Sequence, residues 1–172
     1  MAPLIVLVAT ALLARLAGWM GVAWLRSWAA ATRVALAVML CLTAAAHFNN
    51  MRPDLIRMVP PFIPNPELMV TFTGICEILG AIGLLVPRTR RFAAVALIVF
   101  LIAVLPANIH AARSGVTLGG APATPLVPRV ALQALFIALV WWTGIRRHRD
   151  AGSRAAAGPD GHFRRQRRPS AK

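Results

Sequence analysis

Five long apolar runs constrain this chain more than any other feature. They occupy about residues 4–25, 29–48, 68–86, 92–109 and 130–145 of 172. A helix rises about 1.5 Å per residue, so roughly 17–25 apolar residues cross a bilayer, and four runs reach that length while the last is marginal. Hydrophobic residues make up 58% of the chain and charged ones 14%. So few charges cannot cover a soluble globule of this size. The fold class that follows is all-α, a polytopic transmembrane helical bundle. The first run has the length of a signal peptide, but its start (Met1, Ala2, Pro3) is uncharged and Arg15 interrupts it. It is therefore read as a retained helix.

The formal charge of +14 first suggests nucleic acid, and its distribution argues against that. Nine of the 19 basic residues fall at or after Arg146, and most others flank the apolar runs. One set of flanks carries Arg26, Arg33, Arg88, Arg90, Arg91 and the basic tail; the opposite set carries Arg52, Arg57, Arg113 and Arg129. Arginine-rich flanks stay in the cytoplasm, which puts the N-terminus outside and the C-terminus inside a cell membrane. Trp24, Trp28, Trp141 and Trp142 then share the inner interface. Residues 146–172 are almost devoid of apolar side chains other than alanine and read as a disordered basic tail that attracts anionic lipid.

Polar side chains inside the runs are candidates for function. Glu77 lies within MVTFTGICEILGAIGLLV (69–86), about 14 Å from the outer surface by helical rise. A charge at that depth costs a few kcal/mol even on lenient scales, so such residues face a bundle interior and mark a pathway, a ligand site or an ion pair. Thr73, Glu77 and Gly80 follow i, i+4, i+7 spacing, a stripe that turns Glu77 toward protein. Gln133 falls about 9 Å from the same side, and His47, Asn108 and His110 about one turn from it. The simplest arrangement is a funnel open to the outside with Glu77 at its floor. Pro106 breaks the fourth run and leaves the carbonyl of Ile102 unpaired. Blander roles stand beside these: interfacial histidines satisfied by water and backbone, and an Asn108 that holds a kinked helix end.

Arg15 supplies a second deep charge, nearly level with Glu77 at about 16 Å, and a buried Arg15–Glu77 pair would make the carboxylate a structural counter-ion. A lipid headgroup or backbone carbonyls are the alternative partners for Arg15. Cys41 and Cys76 sit in apolar runs with no CxxC and no zinc-type spacing, so they read as small hydrophobes, and no metal site is expected. The outer loop 49–67 carries prolines at 53, 60, 61, 64 and 66, which forbid a long helix there. Its apolar residues Leu55, Ile56, Met58, Val59 and Phe62 suit a lid lying on the membrane.

The ordered set of His47–Phe48, VPPFIPNPELMV (59–70), TGICEILGAIGLLVPRTRRFAA (73–94), PANIH (106–110) and PRVALQ (128–133) resembles the DoxX family of small bacterial membrane proteins, over about residues 31–145. The resemblance implies a four-helix membrane core at 29–145, to which the span in 1–28 and the tail at 146–172 are additions. It further implies an inner-membrane, redox-associated protein working with a partner subunit. Within that expectation, a quinone headgroup would meet Glu77 as proton acceptor and His47, Asn108, His110 and Gln133 as ligand-binding groups. A thiol-redox accessory role and a non-catalytic scaffold or chaperone role stand as alternatives. No flavin, haem or metal motif is readable to carry electrons in this chain alone.

The topology makes a direct prediction. Reporter fusions after Ile145 should be active in the cytoplasm, and fusions in 111–128 should be active outside; the reverse pattern would invert the orientation.

Overall fold

The computed structural model describes residues 2–122 and 125–146. The expectation of a disordered tail over 146–172 therefore falls outside the described residues, Arg146 excepted. The helices are α1 (Ala2–Trp19), α2 (Trp28–Ala46), α3 (Arg52–Met58), α4 (Pro66–Leu85), α5 (Arg90–Ala103), α6 (Leu105–Arg113) and α7 (Leu126–Val140). A 3₁₀ turn (Ala23–Leu25) links α1 to α2, and one π-helical turn (Trp141–Ile145) extends α7. A minimal hairpin, β1 (Thr117–Leu118) and β2 (Ala121–Pro122), lies between α6 and α7. Five helical segments are long and apolar enough to cross a membrane: Ala2–Trp19, Trp28–Ala46, Pro66–Leu85, Arg90–Arg113 and Leu126–Ile145. Their apolar outer surfaces, among them Leu13, Leu68, Phe92 and Val127, suit a multi-pass membrane protein.

Helix ends follow local chemistry. Ser27 accepts the Ala30 N–H at 3.1 Å, an N-cap that starts α2 immediately after the turn. Pro66 occupies the first turn of α4, where its missing donor costs nothing, after Asn65 in the left-handed region at φ 53°. The fourth span is interrupted as Pro106 requires: α5 ends at Ala103 and α6 restarts at Leu105. Gly119 and Gly120, with φ of 58° and 79°, supply the two left-handed positions that a two-residue hairpin turn needs.

α2 is the organising helix, packing against both α1 and α4, while α4 packs against α5. The main core joins Leu7 of α1, Leu36 and Leu40 of α2, Ala81 and Leu84 of α4, Ala94 and Leu97 of α5, and Val140 of α7. Leu7 draws α1 into this core, so its packing is not confined to four helices. Small residues set the spacing. A Cβ on Gly80 would collide with the side chain of Leu97, and one on Gly144 with Ala94.

The loop over 49–67 carries the short helix α3, tied at both ends. The Asp54 carboxylate accepts the Gly119 N–H at 2.7 Å and pairs with Arg57. Met51 lies against Gly119, so the two loops at this end of the bundle form one joined cap. The expectation of a lid over the membrane thus becomes a loop fastened to the hairpin.

Two outcomes follow. Gly80→Val should overpack the α4–α5 contact and destabilise the protein by about 1–3 kcal/mol in detergent unfolding. The Gly119 N–H bond, followed by Arg57, holds the Asp54 carboxyl below its ordinary pKa. A depressed carboxylate contributes stability above its unfolded pKa and loses it as pH falls through the folded value. Protection of the Gly119 amide from hydrogen exchange, relative to its intrinsic rate, should therefore fall on acidification through the aspartate range, and Asp54→Ala should show that low protection at every pH.

Candidate functional site

The sequence's polar candidates separate into groups rather than lining one funnel. The first joins α2 and α4. His47 caps α2, and its Nδ1 lies 3.1 Å from the Thr43 carbonyl and 3.9 Å from Glu77 Oε2. Both side chains are only 13% exposed. Glu77 Oε2 has no hydrogen-bond partner among the described residues, although the Thr43 hydroxyl approaches the carboxylate. A carboxylate oxygen held this way carries a large desolvation penalty that one imidazole at ion-pair distance offsets only in part.

Gly74, one turn before Glu77, makes the approach sterically feasible. A Cβ there would stand 2.8 Å from His47 Cβ and 2.9 Å from the Phe48 ring. The small-residue face expected around Glu77 therefore does exist, but Gly74 is the member turned to α2, and Gly80 meets Leu97 of α5. The Thr73 hydroxyl folds back onto the carbonyls of Met69 and Val70.

The second group crosses from α6 to α7 at the break in the fourth span. Arg129 Nη1 donates to Asn108 Oδ1 at 3.0 Å, Asn108 Nδ2 donates to Gln133 Oε1 at 3.3 Å, and Gln133 Nε2 donates to the Leu101 carbonyl. The acceptor taken up near the break is thus that of Leu101. The expected one, Ile102, accepts the Val104 N–H at the end of α5. Gln133 is 8% exposed and also borders an apolar groove of about 120 Å³ formed with Ile102, Leu105, Val130, Ala134 and Ile137.

His110 belongs to neither group: its Nδ1 lies 3.4 Å from the Ser114 hydroxyl at the end of α6. A wider cleft of about 570 Å³ opens at the N-terminal end of α4, lined by Arg52, Ile56, Asn65, Pro66, Glu67, Leu68 and Thr71. Glu77 lines neither of these two cavities.

Arg15 does not pair with Glu77. It donates to the carbonyls of Leu25 and Arg26, and its guanidinium lies 4.9 Å from the Trp28 ring and 5.8 Å from that of Trp19. Two features separate the charges. Arg15 stands about 6 Å from the end of α1 at which the chain turns into α2, whereas Glu77 stands about 12 Å from the corresponding end of α4. Glu77 is also turned to α2, which packs against α1 on its other flank. Cys41 and Cys76 are free thiols, the former exposed on the helix surface. No group of three metal-ligating side chains occurs among the described residues.

Sequence reasoning missed Arg52. Its guanidinium donates to the His47 carbonyl at 3.0 Å, the Glu67 carbonyl at 3.1 Å and the Thr71 hydroxyl at 2.9 Å. It thereby fixes the His47 end of α2 onto the first turns of α4. Its place five residues after His47, in a loop that must return to the bundle, was the available signal.

No curated protein and no solved structure matches the chain. Residues 36–144 match the family described as Domain of unknown function (DUF8561), which leaves α1 and the first turns of α2 outside the matched region. This chain belongs to the DUF8561 family.

Proposed function

We propose that this protein is a DoxX-like accessory subunit of a quinone-linked or thiol-redox complex in the bacterial inner membrane, with a four-helix core of α2, α4, α5–α6 and α7 to which α1 is added. The observation that carries the reading is Glu77: a carboxylate inside a span, with an imidazole at 3.9 Å and one oxygen unclaimed by any described donor. Such a group is suited to take up a proton from a membrane-borne substrate. Quinol oxidation releases two protons and two electrons; Glu77 takes one proton, water takes the other, and both electrons pass to a redox partner subunit. The groove beside Gln133 is an apolar slot of the kind a quinone ring needs, but it lies at the α6–α7 interface apart from Glu77, and the amides of Asn108 and Gln133 at its edge are bonded to each other, to Arg129 and to Leu101. His110, engaged with Ser114, has no part in this arrangement. The proposed orientation places α3 and the hairpin outside, with the basic tail against anionic lipid on the cytoplasmic side.

A scaffold or assembly role is the second reading. It is favoured by the Arg52 and Arg129–Asn108–Gln133 contacts, which tie helices together without leaving an open catalytic centre.

Titration of a short-chain ubiquinone into the purified protein, followed by tryptophan fluorescence, tests the choice. Saturable binding weakened about tenfold by Glu77→Gln, a loss of about 1.4 kcal/mol, is the expected result. A flat titration, or equal binding by both proteins, overturns the quinone reading. If Glu77→Gln also lowers folded yield, the scaffold reading gains.

A further inference from the structure

We infer that Glu77 exchanges protons with the aqueous phase at the α3 end of the bundle through His47, and that Gly74 is the residue that positions this relay. The inference deepens the reading of Glu77 as a proton acceptor and rests on it for its purpose, but its test needs no quinone.

The geometry supplies a direction. His47 stands at the terminus of α2, one residue beyond the span, whereas Glu77 is inside α4. The imidazole is the titratable group within ion-pair distance of the carboxylate. The other groups facing the pair are Thr43 on α2, Cys76 beside Glu77 on α4, and Arg52 on α3. Thr43 carries a hydroxyl that does not titrate. Cys76 carries a thiol on the residue that precedes Glu77 in α4. Arg52 offers hydrogen-bond donors and no acceptor, so it cannot relay a proton. It grips the backbone carbonyl of His47 and leaves the ring to move. α5 packs on the far side of α4 and presents Leu97 there.

The proton count closes. Nδ1 lies at hydrogen-bond distance from a carbonyl, which accepts and cannot donate, so neutral His47 carries its proton on Nδ1 and leaves Nε2 as the basic nitrogen. A proton from water binds Nε2 and gives an imidazolium. The Nδ1 proton then passes to Glu77 Oε2, breaking the Nδ1–H bond and forming the carboxyl O–H. His47 is left neutral with its proton on Nε2. Nδ1 and the Thr43 carbonyl then face each other as two acceptors, which drives the ring to turn and reset. The 3.9 Å separation must close by about 1 Å for transfer, a small rotation of either side chain. Gly74 is essential because a methyl group in its place would fall 2.8 Å from His47 Cβ and push the ring away from Glu77.

The test uses dicyclohexylcarbodiimide, an apolar reagent that modifies protonated carboxyls within membranes, on the full-length protein in oriented membrane vesicles of both sidedness. Modification of Glu77 is read by mass spectrometry, with Glu77→Gln confirming the assignment. The expected result is that labelling falls as pH at the α3 face is raised from about 6 to about 9, and does not respond to pH at the opposite face. In His47→Gln, and in Gly74→Ala should His47→Gln fail to fold, the response to α3-face pH should slow by about tenfold or more. Labelling that follows the opposite face, or an unchanged response in folded variants of both kinds, overturns the relay. Absence of quinone binding with labelling that tracks the α3 face would defeat the redox reading and leave the relay standing. Glu77-dependent quinone binding with labelling that tracks the opposite face would do the reverse.

Discussion

Backbone carbonyls at helix ends are the constraint on which this bundle depends. The last turn of each helix leaves acceptors without an intrahelical partner, and those buried away from water cost several kcal/mol if unmet. Arginine answers repeatedly. Arg15 takes the carbonyls of Leu25 and Arg26 at the turn between α1 and α2, Arg33 that of Thr143 in the π turn, Arg52 that of His47 after α2, and Arg90 that of Leu84 at the end of α4. A hydrogen bond to a charged donor contributes about 1.5–3 kcal/mol. Part of the large positive charge thus has a packing role at helix ends.

This role of arginine explains what the sequence could and could not reveal. Spans, the break at Pro106 and the depth of Glu77 were legible because length, hydropathy and proline chemistry act locally. The partners of the arginines were not, because a guanidinium on a flexible stem reaches any carbonyl within several ångströms, and helix rotation decides which. Arg15 illustrates the point. Its depth suggested a match with Glu77, yet its own turn supplied two carbonyls and two indole faces much nearer in the chain. Arg52 shows the converse, since a residue counted as a loop charge became the clamp between α2 and α4.

The candidate site was legible in its members and not in its grouping. His47 with Glu77, and Asn108 with Gln133, are true neighbours, but helix rotation divides them between two interfaces. Periodicity places a side chain on a face without naming the helix that the face will meet. The glycines carried that information in a form readable only afterwards: Gly74 marks where α4 touches the end of α2, and Gly80 where it touches α5. The division assigns different chemistry to each interface. One holds an ionisable carboxylate short of donors; the other holds amides whose bonds to neighbouring helices are already made.

The bond from Gln133 to the Leu101 carbonyl also bears on how the chain is built. Leu101 leaves the ribosome 32 residues ahead of the side chain that completes it. The fourth span is one kinked segment of 24 residues, and the bond from Gln133 fastens the turn before its break to α7. The kink therefore gains that side-chain partner only once the last helix is in place. The order of synthesis makes α7 the closing piece of the bundle rather than one span among five.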